Sequence, residues 1–133
     1  ILAMETVDLD QKRILVVEDN PVNQMVAKRF LKKWGGEVVI AENGLDALQK
    51  LEEGAFHLVL MDIQMPQMDG YACTQRIRSH ERDSVKNLPI IALTGDHDES
   101  TVNAVLQAGM NDHLTKPLNP ARLSAVFEKH LAI

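Results

Sequence analysis

Acidic residues end two of the apolar runs in this 133-residue chain. Glu18 and Asp19 follow the run ILVV, and Asp62 follows the run HLVLM. Two carboxylates about 4 Å apart repel each other by about 4 kcal/mol at an effective dielectric of 20, so a cluster of all three requires a counter-charge. Oxygen ligands from carboxylates, a backbone carbonyl and water favour Mg²⁺. Because the protein would supply only a few of these ligands, coordination positions on the metal stay open for phosphate oxygens. The three acids therefore predict a Mg²⁺ site wherever the fold brings them together.

A hydroxyl group and an ammonium group stand at the ends of two further runs. PIIALT ends on Thr94, and DHLT is followed by Lys116. Both side chains can donate hydrogen bonds to phosphate oxygens. A metal, a carboxylate nucleophile, a hydroxyl and a lysine on one rim would supply the positioning and the charge neutralisation that phosphoryl transfer needs. These residue types therefore favour phosphoryl transfer as the chemistry of the site.

Short apolar or β-branched runs alternate along the chain with longer stretches of helical periodicity. The predicted strands span residues 14–17, 37–41, 57–61, 89–94 and 112–115. The predicted helices span about residues 21–34, 44–53, 71–80, 99–108 and 120–130. Asn20 would cap the first helix, and Gly35 and Gly36 would end it. Strands that alternate with helices predict a doubly wound α/β fold, in which a five-stranded parallel sheet lies between two layers of helices.

This predicted fold also indicates where a ligand would bind. The common strand order for five such units is 2-1-3-4-5, and ligands bind beyond the carboxyl ends of the strands, where the first and third strands are neighbours. Glu18 and Asp19 end the first strand, and Asp62 ends the third. Thr94 and Lys116 end the fourth and the fifth. We therefore expect all five side chains at one edge of the sheet.

The composition disfavours several other functions. A net charge of -5 and an aromatic content of 4% are unfavourable for binding nucleic acid. No apolar run approaches the roughly 20 residues that cross a bilayer, so we expect no direct membrane contact. The single cysteine, Cys73, excludes an internal disulfide and fits a reducing, cytoplasmic location. Residues 1–11 show no clear period and are interpreted as a linker or an expression remnant, and residues 12–133 as one domain.

Four segments taken together resemble a known family. RILVVEDNPVNQ, HLVLMDIQMPQMDG, PIIALTG and AGMNDHLTKP are similar to the receiver domain of two-component response regulators, most of all to the receivers attached to hybrid histidine kinases. Intervals of 43, 32 and 22 residues separate Asp19, Asp62, Thr94 and Lys116, and this order strengthens the resemblance. It implies a flavodoxin-like receiver fold and a phosphorelay switch, which catalyses its own phosphorylation and dephosphorylation and is not a classical enzyme.

The resemblance implies a role for each residue around the metal. Asp62 would be the phosphoacceptor, which takes a phosphoryl group from a phosphohistidine. Asp19 and Asp62 would bind Mg²⁺ directly, Glu18 would bind it through water, and the backbone carbonyl of Gln64 would complete the protein ligands. Lys116 would pair with a phosphoryl oxygen.

The resemblance also implies a switch and a shaped loop. Thr94 would bind the phosphorylated product and move towards it, together with His113, which stands where many members of the family have a tyrosine or phenylalanine. Gln64 and Asp96 would flank the path of the water that hydrolyses the phosphoryl group. The residues expected to shape the site are Pro66, Gly70 and Pro117, the last through a cis bond with Lys116.

The implied partner is a histidine kinase or a histidine-containing phosphotransfer domain, and the parent chain could be a membrane-bound sensor kinase. Exposed apolar groups near the start of the first helix, Val22 and Met25, with Pro117 and Leu118 nearby, would form the docking patch. The basic residues Lys28, Arg29, Lys32 and Lys33 are interpreted as a solvated face of that helix.

Three other functions share part of this pattern. Glu18 with Asp96 and Asp98 resembles the acidic arrangement of topoisomerase-primase type domains, which would make the chain a metal-dependent phosphoesterase or nuclease and leave Asp62 and Lys116 without roles. A degenerate receiver that serves only as a docking module would not need the complete acceptor set. A flavodoxin-like electron carrier would need a Ser/Thr/Gly-rich loop after the first strand, and the sequence has none there.

Overall fold

A parallel sheet of five strands forms the centre of the computed structural model, which describes residues 7–95 and 98–131. The strands are β1 (Arg13–Val17), β2 (Glu37–Ala41), β3 (Leu58–Asp62), β4 (Ile90–Thr94) and β5 (Asp112–Thr115). Their order across the sheet is β2-β1-β3-β4-β5, and every neighbouring pair is parallel. The predicted fold class and strand order are both confirmed.

Six helices connect and cover these strands in the described part of the chain. They are α1 (Pro21–Lys33), α2 (Gly44–Glu53), α3 (Gly70–Arg78), α4 (Asp83–Lys86), α5 (Glu99–Gln107) and α6 (Pro120–Leu131). Five of them match the predicted helices within two residues at each end. The single turn of α4 was not predicted, because four residues are too few to show a helical period. None of the helices in the described ranges is long and apolar enough to cross a bilayer.

The sheet is buried on both faces, as parallel sheets between helices usually are. In β1, Leu15 and Val17 pack into a cluster with residues of α2, α3 and α5, whereas Ile14 and Val16 pack into a second cluster with α1 and α6. All five residues of β3, including Asp62, are buried. This two-sided packing fixes the position of the carboxyl ends of β1 and β3, where the acidic residues lie.

The chain before β1 also contributes to the core. Leu9 is fully buried in the cluster beneath α1 and α6, and its N–H donates to the carbonyl of Trp34 at 2.9 Å. Residues 1–6 lie outside the described ranges. The boundary predicted between residues 11 and 12 stays a prediction, but the burial of Leu9 shows that the core includes a residue before that boundary.

A single arginine joins several loops at the amino end of the sheet, opposite the acidic residues. The Arg78 guanidinium donates to the carbonyls of Gly109, Lys86 and Leu88 and to Oδ1 of Asn111, at distances of 2.7 to 2.8 Å. All of these acceptors are uncharged, and burial lowers the pKa of Arg78. Asn111 Oδ1 also accepts from the N–H of Ile90, the first residue of β4. Arg78 therefore ties α3, the loop before β4 and the turn after α5 together.

Candidate functional site

The three acidic side chains predicted to cluster lie together at the carboxyl edge of the sheet. Glu18 directly follows β1, Asp62 ends β3, and these strands are neighbours in which Val17 pairs with Met61. One carboxylate oxygen from each of Glu18, Asp19 and Asp62 lies within 4.8 Å of the other two. Asp19 is exposed, but Glu18 and Asp62 are only 1% and 2% exposed. The cluster therefore combines two buried carboxylates with one that solvent reaches.

Lys116 is the cation nearest to this cluster in the described residues. Its Nζ lies 3.1 Å from Glu18 Oε1 and 3.1 Å from Asp62 Oδ2. Burial alone would lower the pKa of Lys116, but the two carboxylates outweigh it and raise that pKa. The peptide bond from Lys116 to Pro117 is cis, as the resemblance implied. One ammonium group thus faces two buried carboxylates, with Asp19 beside them.

The environment of Glu18 disfavours the ionised form of its carboxyl group. Burial raises the pKa of Glu18 to about 7, and the neighbouring Asp62 adds to the increase. Oε2 accepts a hydrogen bond from the N–H of Asn20 at 3.2 Å. Oε1 lies 3.1 Å from Nζ of Lys116, which also faces Asp62. Three carboxylates that share one ammonium group offer hard oxygen ligands and an excess of negative charge, which fits a site for a divalent cation such as Mg²⁺.

The loop after Asp62 is held against the end of β3. Gln64 N–H donates to Asp62 Oδ1 at 3.0 Å, and Gly70 N–H donates to the carbonyl of Ile63 at 3.2 Å. A Cβ at Gly70 would lie 2.5 Å from the carbonyl oxygen of Asp62, so no larger residue fits there. Pro66 is exposed within this loop. The start of α3 therefore packs directly against the backbone of Asp62.

Thr94 and His113 lie on the same face of the sheet. Thr94 ends β4 and is 1% exposed, and His113 is half-buried in β5, where it pairs with Ala92. Side chains alternate along a strand, and Leu93 and Leu114 pack towards α1 and α6. Thr94 and His113 therefore face the other side, which α2, α3 and α5 cover. Thr94 is also one strand away from Asp62, because β3 and β4 are neighbours.

One acidic residue of the nuclease-like alternative, Asp98, does not join this cluster. Asp98 caps α5, where its Oδ1 accepts from the N–H of Thr101 at 2.8 Å and from the hydroxyl of Ser100 at 2.9 Å. Asp96, which was also expected to influence hydrolysis, lies outside the described residues. Asp98 therefore caps a helix, whereas Glu18 lies in the acidic cluster with Asp62 and forms an ion pair with Lys116.

The sequence did not reveal two contacts that hold Glu18. Asn20 was predicted only as the cap of α1, and its side chain does accept from the N–H groups of Val22 and Asn23. Its own N–H also binds the Glu18 carboxylate. Gln24 Nε2 donates to the backbone carbonyl of Glu18 at 2.6 Å. A backbone N–H leaves no signal in the residue type, so this part of the site required the structure.

The described structure is a flavodoxin-like α/β domain with an acidic cluster at the carboxyl edge of its sheet. The chain belongs to the response regulator receiver domain family, whose family model matches residues 14–128. It is 42% identical over 118 residues to the sensor protein GacS of Pseudomonas syringae and 41% identical over 119 residues to hybrid signal transduction histidine kinase M of Dictyostelium discoideum. These matches cover 88% and 87% of this chain but only 13% and 5% of those relatives.

Solved structures of receiver domains are similar to the whole described fold. One is the receiver domain of the sensor histidine kinase PA1611 from Pseudomonas aeruginosa, with a magnesium ion coordinated in its active site cleft (38% identity, TM-score 0.83, 92% of this chain and 98% of that one). Another is the receiver domain of the Saccharomyces cerevisiae response regulator Ssk1 in complex with the histidine phosphotransfer protein Ypd1 (33% identity, TM-score 0.85, 94% and 91%). The chain is thus a receiver domain of two-component phosphorelay signalling, and the nuclease-like alternative is not favoured.

Removing the Glu18 charge should stabilise the metal-free protein. A carboxyl group with a raised pKa in the folded state contributes stability that is complete below its unfolded pKa of about 4.5 and is lost as the pH rises through about 7. We therefore expect Glu18→Gln to raise the free energy of unfolding in EDTA at pH 8 by about 1–2 kcal/mol, and by much less at pH 5. Urea denaturation at the two pH values measures this difference.

The matched control for this change is Glu128→Gln, which removes the same charge from an exposed position on α6. We expect its free energy of unfolding to stay within about 0.5 kcal/mol of the parent at both pH values. A Glu18→Gln protein that is less stable than the parent at pH 8 would show that the Glu18 carboxylate is well compensated without a metal.

Proposed function

We propose that this domain accepts a phosphoryl group on Asp62 from a phosphohistidine and uses the product as a conformational signal. The observation that carries this proposal is the placement of Asp62: buried, at the carboxyl edge of the sheet, beside two further carboxylates and with Lys116 Nζ 3.1 Å from its Oδ2. An ionised carboxylate attacks phosphorus without a general base. A lysine at this distance can neutralise the oxygens of the incoming group.

The proposed cofactor is Mg²⁺. Asp19 and Asp62 would bind it directly, Glu18 would bind it through water, and the backbone carbonyl of Gln64 would supply the remaining protein ligand. The charge imbalance of the cluster, with three carboxylates and one ammonium group, supports this assignment. Bound Mg²⁺ supplies charge neutralisation at the transferring phosphoryl oxygens. The similar receiver of PA1611 holds a magnesium ion in its active site cleft, which also supports the proposal.

In the transfer step, a bond forms between a carboxylate oxygen of Asp62 and phosphorus while the bond from phosphorus to the imidazole nitrogen of the donor breaks. Lys116 then pairs with a phosphoryl oxygen in place of the free carboxylate. Gln64, which is exposed two residues after the acceptor, would orient the water that later hydrolyses the acyl phosphate. Asp96 is proposed to share that role.

The conformational signal would pass through Thr94 and His113. A phosphoryl group adds strong hydrogen-bond acceptors, which would draw the Thr94 hydroxyl towards Asp62. Both residues face the side of the sheet that α5 covers, and α5 has only one fully buried residue, Val105. A lightly anchored helix is suited to a shift between two existing arrangements. We therefore propose that α5 and β5 form the face that changes.

The partner would be a histidine kinase or a histidine-containing phosphotransfer domain. Val22 and Met25 are exposed beside the acidic site, and Pro117 and Leu118 line a small cleft next to Lys116. Exposed apolar groups beside a reactive site favour a docking surface. The similar receiver of Ssk1 is bound to the histidine phosphotransfer protein Ypd1, which supports a partner of this kind.

The chain spans 13% of the length of the GacS relative that it matches. We therefore propose that it is the receiver of a hybrid histidine kinase and that it lies in the cytoplasm. The alternative of a degenerate receiver, used only for docking, would not require Mg²⁺ or an acceptor. The presence of the acidic cluster and of Lys116 favours the active form.

A Mg²⁺ titration tests the assignment of the metal ligands. Asp19→Asn should weaken Mg²⁺ binding by about tenfold or more, because it removes one of the few protein ligands of a cation that keeps most of its water. Isothermal titration calorimetry of both proteins measures the change. Asp69→Asn is the control, since Asp69 caps α3 outside the cluster and asparagine retains the capping oxygen. Equal affinities for the parent and Asp19→Asn would contradict the assignment.

A further inference from the structure

Helix α1 carries an exposed stripe that the proposed acceptor chemistry does not use. Val22 and Met25 are 65% and 62% exposed near the start of the helix, and Arg29, Lys32 and Lys33 are exposed towards its end. At 100° per residue, these five side chains fall within an arc of about 100°. The opposite side of the helix packs on the sheet. We call these five residues the α1 stripe.

The two halves of the α1 stripe differ in chemistry. Val22 is separated from Asp19 by only two residues, so the apolar half lies beside the acidic site. The basic half begins one turn after Met25, and Lys32 lies about 10 Å beyond Met25 along the helix axis. A molecule that contacts Asp62 and extends along α1 therefore meets an apolar surface first and a positive surface next.

The positive half has no compensating charge within the described structure. Helix α1 contains no Asp or Glu, and none of its basic side chains forms an ion pair with a described residue. Lys28 and Lys32, and likewise Arg29 and Lys33, are like charges four residues apart, an arrangement that destabilises a helix slightly. Lys32 and Lys33 can interact favourably with the carbonyl end of α1, but Lys28 and Arg29 lie a turn earlier.

A cluster of this kind, in a chain whose net charge is -5, indicates a ligand of opposite charge. An anionic membrane is disfavoured, because the apolar side of α1 is buried in the core and the rest of the domain would be repelled. A protein partner agrees better with the structure, since the basic half continues the exposed apolar surface beside the acceptor.

We propose that the α1 stripe selects partners by charge. The fitting partner presents an apolar surface next to its phosphohistidine and a group of carboxylates about 10 Å further along, where Arg29 and Lys32 meet them. This inference rests on the proposed phosphoryl transfer to Asp62 and adds the chemistry of the donor. The basic residues, interpreted from the sequence as a solvated face, thereby act as a specificity determinant.

The experiment compares two charge reversals that alter the net charge equally. Arg29→Glu with Lys32→Glu changes the α1 stripe, and Arg76→Glu with Lys86→Glu changes exposed positions on α3 and α4, which pack on the other face of the sheet. Each protein is phosphorylated with acetyl phosphate and, separately, with the phosphorylated histidine phosphotransfer domain that labels Asp62 of the parent fastest. The second reaction is measured as kcat/KM at low and at high salt.

We expect both variants to react with acetyl phosphate as the parent does, because neither change touches the acidic cluster. With the phosphohistidine domain, reversal in the α1 stripe should lower kcat/KM about tenfold or more at low salt, and the loss should shrink at high salt, where charges are screened. The control variant should stay within about twofold of the parent. Exchanging carboxylates of the donor for lysines should restore transfer to the α1 variant.

Equal kcat/KM values for the two variants would overturn the proposal. So would unchanged transfer combined with loss of binding to phosphatidylserine vesicles, which would assign the basic half to a lipid surface. Labelling by acetyl phosphate without labelling by any phosphohistidine domain would overturn the partner while leaving the acceptor role intact. Failure of both donors would instead refute the proposed function itself.

Discussion

Lys116→Met is expected to slow the phosphorylation of Asp62 by acetyl phosphate and Mg²⁺ by about 10²–10³-fold, the usual cost of losing one positioned donor of a charged transition state. The Lys116 ammonium lies 3.1 Å from Asp62 Oδ2, where the oxygens of the incoming group must pass. Methionine has a similar length and no charge, so the cavity stays filled while the donor is lost. Time courses of phosphorylation, followed by mass spectrometry of the intact protein, measure the rate.

Lys129→Met is the matched control for this effect. Lys129 is exposed on α6 and pairs with Asp112 at 3.8 Å, so the substitution removes a surface ion pair without touching the acidic cluster. We expect its rate to stay within about twofold of the parent, since exposed ion pairs contribute little. A Lys116→Met protein that reacts within threefold of the parent would show that Lys116 organises the cluster but does not assist the transfer.

Arg78→Met is expected to lower the free energy of unfolding by about 3 kcal/mol or more. The guanidinium donates to four uncharged acceptors in two segments, the one before β4 and the turn after α5. A methionine leaves the carbonyls of Gly109, Lys86 and Leu88 without this donor. Arg78→Lys should recover little of this loss, because one ammonium group lacks the planar, forked set of donors. Urea denaturation of the three proteins measures these differences.

Arg76→Met provides the comparison on the same helix. Arg76 is exposed and near the end of α3, so its removal should change the free energy of unfolding by about 0.5 kcal/mol or less. A small effect of Arg78→Met, below about 1 kcal/mol, would mean that water replaces the guanidinium at the carbonyls of Gly109, Lys86 and Leu88.

The acidic cluster could be predicted from the sequence because a parallel α/β sheet leaves few choices. Once Glu18 and Asp62 are placed at the ends of the first and third strands, the strand order makes them neighbours. Thr94 and Lys116 follow in the same way from the ends of β4 and β5. The constraint is topological, so it needs no knowledge of side-chain packing.

Features that depend on contacts distant in the sequence could not be predicted in this way. Arg78 is one of several arginines on helices, and only the folded chain shows that Gly109 and Leu88 surround it. Leu9 precedes the first periodic run, so no sequence pattern indicated that it is buried in the same cluster as Trp34. The same holds for the basic half of the α1 stripe, because only the folded chain shows that these side chains form no ion pair with a described residue.

The most direct test of the central claim is to locate the phosphoryl group. The protein is mixed with Mg²⁺ and acetyl phosphate, or with a phosphorylated histidine phosphotransfer domain, and the modified residue is identified by mass spectrometry. We predict a single Mg²⁺-dependent, alkali-labile adduct on Asp62 that is absent from Asp62→Asn. Labelling that persists in Asp62→Asn, or no labelling of the parent by either donor, would contradict the assignment of Asp62 as the phosphoacceptor.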